Sequence, residues 1–355
     1  MDMQQWKMDV INNPIKRGMP ILSFPVTNLM GISVKDLISD SDMMAKGMKM
    51  LADRLPTLAA LSMMDLTVET ECFGGNIEFF EDMLPNVTNV VVRSWEDAEA
   101  LQIPKVGTGR TGIYIDAVHK AKELITDRSV FAWVIGPYTL AGRLLGMSEL
   151  MTASVTDPDM VKVLMEKVTE FIIIYAQAYK DAGADGFILA EPTTGLISPS
   201  LARKLSHPYT KAVIDVVQCR EYVCIYHNCG ESVTWMAEDL GAFHADGYHF
   251  GNCIKMEDII PLMPADCLVM GNVAPIEQFV DGTPEGVACN TREILAACDR
   301  WPNFIISSGC DIPSTGKWEN IDAFFSAIDE FYRKKCCKRS PKAFVPISAP
   351  QNQST

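Results

Sequence analysis

Strand and helix signals alternate along the whole chain, and that alternation restricts the fold more than any single residue does. Eight short apolar or β-branched runs stand out, at residues 19–24, 66–70, 130–135, 186–190, 222–226, 245–249, 268–271 and 304–307. Helix-period segments separate most of them. In the clearest, Thr156-Asp157-Pro158 supplies a capping residue, an acid and an N-terminal proline. Val161, Leu164, Val168, Phe171, Ile172 and Tyr175 then recur at three- and four-residue intervals, which makes one apolar stripe. The stripe stops at Ala182-Gly183-Ala184, and Asp185-Gly186 leads into the next strand. Strand–helix–strand units of this kind make right-handed crossovers between parallel strands. Eight of them predict a (β/α)8 TIM barrel, with a doubly wound parallel sheet as the alternative. Nothing reads as an interdomain linker. Residues 1–340 are therefore expected to form a single barrel domain with an N-terminal helical extension, and 341–355, with Pro341, Pro346 and Pro350, a disordered tail.

Charge and cysteine usage narrow the class of protein. The net charge of −14 argues against nucleic-acid binding, which needs clustered Lys and Arg, and against docking on anionic membranes. Met1 to Trp6 is largely polar, which predicts no signal peptide, and no apolar stretch approaches the roughly 18 residues of a membrane span. Eleven cysteines lack the close, regular spacing of a disulfide framework. They read as free thiols and metal ligands in a reducing cytoplasm.

In a barrel of this type the chemistry sits at the carboxyl ends of the strands, so the candidates can be sorted by position. Only Cys72, Cys229, Cys253 and Cys310 follow strand runs. Cys224 lies three residues before His227 and points to the opposite face of the same strand. Cys267 precedes its strand, and Cys219, Cys289, Cys298, Cys336 and Cys337 fall on helices or their flanks. His227-Asn228-Cys229 leaves one strand and Cys310 leaves another about 80 residues later. One imidazole and two thiolates form a soft N/S set that suits Zn²⁺, and three protein ligands with an open fourth position is the arrangement of a catalytic zinc. Cys253 is the rival thiolate.

The remaining histidines carry less. His119 and His207 read as helix or loop residues and His244 begins a strand, while His249 ends one and is a candidate substrate contact. Carboxylates at strand exits form the last group. Glu191 follows Phe187-Ile188-Leu189-Ala190 and is a candidate fourth, exchangeable ligand. Glu69 and Glu71 leave the 66–70 run, where one of them could orient a ligand imidazole or hold a substrate cation. Asp246 and Asp311 are further candidates, Asp311 favoured by its place beside Cys310. The Gly136-Pro137-Tyr138-Thr139-Leu140 turn, with Arg143 following, could bind a substrate anion or simply cap a helix.

The pattern His227-x-Cys229 with Cys310 far downstream, joined to Gly-Pro-Tyr-Thr-Leu-Ala-Gly at 136–142, resembles the uroporphyrinogen decarboxylase superfamily. Within it the chain looks like the zinc-dependent corrinoid methyltransferases, the group that contains methylcobalamin:coenzyme M methyltransferases. The resemblance runs from Met19-Pro20-Ile21-Leu22-Ser23-Phe24-Pro25 to Ser308-Gly309-Cys310-Asp311-Ile312-Pro313. Decarboxylases of the superfamily carry a Met-Arg-Gln-Ala-Gly-Arg segment near the N-terminus, where this chain has Phe24-Pro25-Val26-Thr27-Asn28. They have Gly-His-Gly where this chain has Cys310. The resemblance implies a (β/α)8 barrel whose zinc, on His227, Cys229 and Cys310, holds a methyl-accepting thiol as thiolate.

It implies as well that the methyl group travels on methylcobalamin bound to a separate corrinoid carrier protein. The chain has no Asp-x-His-x-x-Gly segment of the kind that ligates cobalt in such carriers, since no histidine has an Asp two residues before it. A metal-independent decarboxylase and a non-catalytic accessory subunit of a corrinoid system are the alternatives.

Overall fold

The computed structural model describes residues 1–339, so the expected tail, 341–355, lies outside the described residues. Nine strands are present among them: β1 (Ala59–Leu61), β2 (Ile77–Glu78), β3 (Asn86–Val87), β4 (Ser129–Ile135), β5 (Gly186–Ala190), β6 (Val223–Asn228), β7 (Gly247–Phe250), β8 (Leu268–Val273) and β9 (Phe304–Ser308). β2 and β3 make a small antiparallel ribbon. The other seven form one parallel sheet in the order β1-β4-β5-β6-β7-β8-β9.

The eighth place is taken by residues 18–24, an extended segment without a regular ladder. Met19 donates its N–H to the Ile306 carbonyl (3.0 Å) on β9, and Leu58, beside β1, donates to the Gly18 carbonyl (2.9 Å). Pro20 has no N–H to contribute, and side chains complete the seam: Ile21 N–H donates to Ser308 Oγ (2.9 Å) and Ser23 Oγ to the Ser62 carbonyl (3.2 Å). The eight-stranded barrel expectation holds with this one irregular stave.

One expected strand is displaced. Residues 66–70 form no strand; the strand is β1, and Val68–Cys72 is a short helix. Asp65 explains the break, because its Oδ1 accepts from both the N–H and the Oγ1 of Thr67, a local turn that ends the extended chain. Glu69 and Glu71 therefore sit on a helix after the strand.

Alternation along each strand separates two cores. Trp133, Ile188, Ile225, Met270 and Ile305 point inward with Met19 and Ile21. Cys224 and Tyr226 point outward against the surrounding helices. Helix Pro158–Asp181 is capped one residue later than expected, because Thr156 ends the preceding helix and it is Asp157 that accepts from Met160 N–H; the helix buries the whole stripe from Val161 to Tyr175. Helix Met3–Asn12 packs against the amino end of the barrel. Its Trp6 ring lies 5.6 Å from Phe131, and Lys7 pairs with Asp246 at 2.7 Å in a buried site. Asp246, a candidate for the strand exits, thus belongs to the opposite end.

Candidate metal centre

Two strand exits converge at the carboxyl end of the barrel. His227 is the last inward-facing residue of β6, Cys229 follows that strand, and Cys310 follows β9. A His nitrogen and the two sulfurs lie within 4.8 Å of one another, with His227 Nε2 3.9 Å from Cys310 Sγ. Zinc bonds of ~2.0 Å to nitrogen and ~2.3 Å to sulfur hold tetrahedral ligands roughly 3.5–4 Å apart, so this donor set fits the ion. Close backbone approach makes the convergence possible. A Cβ on Gly251 would lie 2.7 Å from Cys229 Cα.

The nearby Cys310 thiol pulls Cys229 well below the usual thiol range against the cost of burial, and the same proximity pushes Cys310 up. Thiolate is the form in which either sulfur would ligate a metal. His227 stands edge-on to Trp133 (ring centroids 5.7 Å apart) and close to His249 (4.8 Å), its register partner on β7. Burial holds His249 neutral. Cys253 is exposed and does not join the group. A cleft of about 850 Å³ opens at the amino end, beside Trp6 and Lys16, and none of the three ligands lines it.

The other candidates take differing roles. Glu191 is fully buried, and its carboxylate faces the start of helix Pro137–Leu145. Oε2 accepts from Tyr138 N–H (2.9 Å), and Oε1 from Thr139 N–H (2.7 Å) and the Thr139 hydroxyl. Gly136, the N-cap, has no side chain to cap that helix, so Glu191 does so. Both oxygens are committed, outside the His–Cys–Cys group. Of the two readings of the Gly136–Leu140 turn, the geometry matches the helix start, with the amides of Tyr138 and Thr139 serving an internal carboxylate.

Glu71 is ion-paired with Arg110 (2.7 Å). Arg110 also binds Asp65 (2.5 Å, both buried) and Thr67 Oγ1 (2.8 Å). Asp311 has its Oδ1 buried without a partner, and burial raises its carboxyl well above the usual range. Arg143 has an unpartnered, buried Nε, and desolvation lowers it while Asp65 and Glu69 act to raise it.

Glu69 is buried, accepts from Ile135 N–H (3.0 Å) and leaves Oε2 without a partner. Burial is the main cause that pushes its carboxyl up to about 7. An acid raised in the folded state binds its proton more tightly there than when unfolded. Its contribution is therefore present below about pH 4.3 and lost as pH rises through about 7, by up to about 3 kcal/mol. Denaturant midpoints should decline over that window in the wild type and decline less in Glu69→Gln. Equal slopes would contradict the assignment.

The Asp65–Arg110 network and the environment of His249 escaped the sequence reading. Asp65 falls four residues after β1, a position that becomes a strand exit only once Ala59–Leu61 is known to be the strand.

A parallel β/α barrel with its candidate metal ligands at the ends of two strands defines the class. Residues 21–331 match the uroporphyrinogen decarboxylase (URO-D) family, to which this chain belongs. The chain is 26% identical over 243 residues to methylcobamide:CoM methyltransferase MtbA of Methanosarcina mazei, covering 65% of this chain and 67% of that one. It is 27% identical over 253 residues to uroporphyrinogen decarboxylase of Citrifermentans bemidjiense (68% and 72%). A solved methyltransferase from Methanosarcina mazei superposes with a TM-score of 0.83 at 21% identity, covering 93% of this chain and 98% of that one, which shows the shared fold. Among the described residues no helix is long and apolar enough to cross a membrane.

Proposed function

We propose that this protein is a zinc-dependent methyltransferase that moves a methyl group between a protein-bound corrinoid and a small thiol. The observation that carries the reading is the convergence of His227, Cys229 and Cys310 at the barrel mouth. Overall identity does not discriminate, being about equal to methyltransferases and decarboxylases. The thiolate-rich donor set does, because a reaction that consumes a thiolate benefits from a soft metal and a carboxyl loss does not. When bound, zinc would supply the acidity that keeps an acceptor thiol deprotonated near neutral pH.

The chain's own residues supply the rest. Cys229 and Cys310 are anionic donors that keep a neighbouring sulfur nucleophilic, and Trp133 walls the imidazole of His227 from below. Arg143, with its unpaired Nε, is the candidate for an anionic end of the acceptor, and Glu69 and Asp311, each with an unpaired oxygen, for its polar or cationic groups. Glu191 positions helix Pro137–Leu145, which carries Arg143. Trp133, Ile188, Ile225, Met270 and Ile305 fill the barrel interior. A corrinoid ring must therefore approach from the open carboxyl end, on another protein, as the names of the MtbA relatives suit. In the transfer the methyl carbon passes to sulfur, the electron pair of the Co–C bond stays with the corrinoid, and the thiol proton leaves.

The test is methyl transfer from methylcobalamin, free or on corrinoid proteins, to coenzyme M, homocysteine and other thiols. Loss of the methylcobalamin absorbance that a chelator stops and zinc restores is the expected result. Zinc-loaded protein that transfers to none of them, yet decarboxylates uroporphyrinogen, would replace this reading by the decarboxylase one.

A further inference from the structure

A histidine can give a metal only the ring nitrogen that carries no proton, and the partner of its other nitrogen decides which one that is. For His227 that partner is a second imidazole. His227 Nδ1 lies 2.9 Å from Nδ1 of His249, His249 Nε2 lies 2.7 Å from Ser307 Oγ, and Ser307 Oγ lies 2.7 Å from the Met19 carbonyl oxygen. All three side chains are buried.

Proton placement follows from the far end of this row. A carbonyl only accepts, so the Ser307 hydroxyl donates to Met19. The oxygen of Ser307 then accepts from Nε2–H of His249. A buried imidazole with its one proton on Nε2 presents a lone pair at Nδ1, so His227 must donate its Nδ1–H there. That leaves His227 Nε2 bare, and it is this atom that stands 3.9 Å from Cys310 Sγ.

We propose that His249 and Ser307 are positioning residues that hold His227 in its Nδ1–H tautomer and thereby set the metal affinity of the His227/Cys229/Cys310 group. The proposal rests on the metal reading of that group. It also ties metal affinity to barrel closure, because the row runs from β6 through β7 and β9 to the irregular stave at Met19. In the inner layer Ile225, Met270 and Ile305 are apolar, so a polar row here is a costly feature unless it is fully bonded.

The experiment is competition of Co²⁺ and Zn²⁺ between a chelator and the purified full chain. The variants are His249→Leu, His249→Asn and Ser307→Ala, with Cys310→Ala as the control for the site itself. His249→Leu and Ser307→Ala should bind about 10- to 100-fold more weakly than wild type. His249→Asn, whose Oδ1 can accept where Nδ1 did, should recover most of the loss, which a merely space-filling role for His249 would not produce. Nitrogen-15 NMR of the metal-free wild type should show the His227 proton on Nδ1, a readout that needs no variant to fold. A proton on Nε2, or wild-type affinity in both His249→Leu and Ser307→Ala while Cys310→Ala loses the metal, would overturn this proposal and leave the metal centre standing. Wild-type protein that binds neither ion would overturn both.

Discussion

Cys229→Ala is expected to strip the protein of its metal. The substitution removes one of three donors and one of the two thiolates. Zinc held by a few protein ligands is bound by on the order of 10 kcal/mol, so losing one of three should cost about 3 kcal/mol, or more than 100-fold in affinity. Cys310→Ala should behave alike. Zinc content of protein isolated from zinc-supplemented cells measures this, with Cys253→Ala as the contrast, because that exposed thiol lies outside the group and its loss should leave zinc unchanged. Full occupancy in both Cys229→Ala and Cys310→Ala would remove the metal assignment.

Gly136→Ala is expected to produce the largest loss of stability. A Cβ at this position would lie 2.4 Å from Glu191 Oε2 and 2.8 Å from its Cβ, inside a fully buried site. Glu191 would have to move, and the amides of Tyr138 and Thr139 would lose their acceptor within the protein. Two buried donors left unpaired, together with the overlap, should cost about 3–5 kcal/mol, read as the denaturant midpoint. Glu191→Ala should approach the same value and leave zinc bound. A Glu191→Ala protein of normal stability that has lost its zinc would return Glu191 to the ligand set.

Strands β4 to β9 of the sheet were legible because a parallel barrel buries both faces, so each strand reads as an unbroken apolar run between turn signals. The two failures have local causes. Ala59-Ala60-Leu61 looks helical, yet it pairs with β4, while Leu66-Thr67-Val68 looks extended but is turned by the Asp65 carboxylate. At residues 19–24 the pattern was right and the ladder absent, because Pro20 breaks the row of donors. Of the site, the three ligands were legible because their strands could be placed. The partners of Glu191 and His249 were not, since they come from residues 52 and 22 positions away whose contacts depend on strand order and register.

Zinc K-edge absorption of the wild-type protein, with and without a saturating thiol acceptor, tests the central claim most directly. It observes whether the acceptor sulfur reaches the metal. The predicted spectrum before addition is one nitrogen-type and two sulfur ligands with a lighter fourth scatterer, and after addition three sulfurs. Protein that contains zinc but keeps two sulfurs in the presence of every thiol, including those of the methyl-transfer assay, would contradict the account.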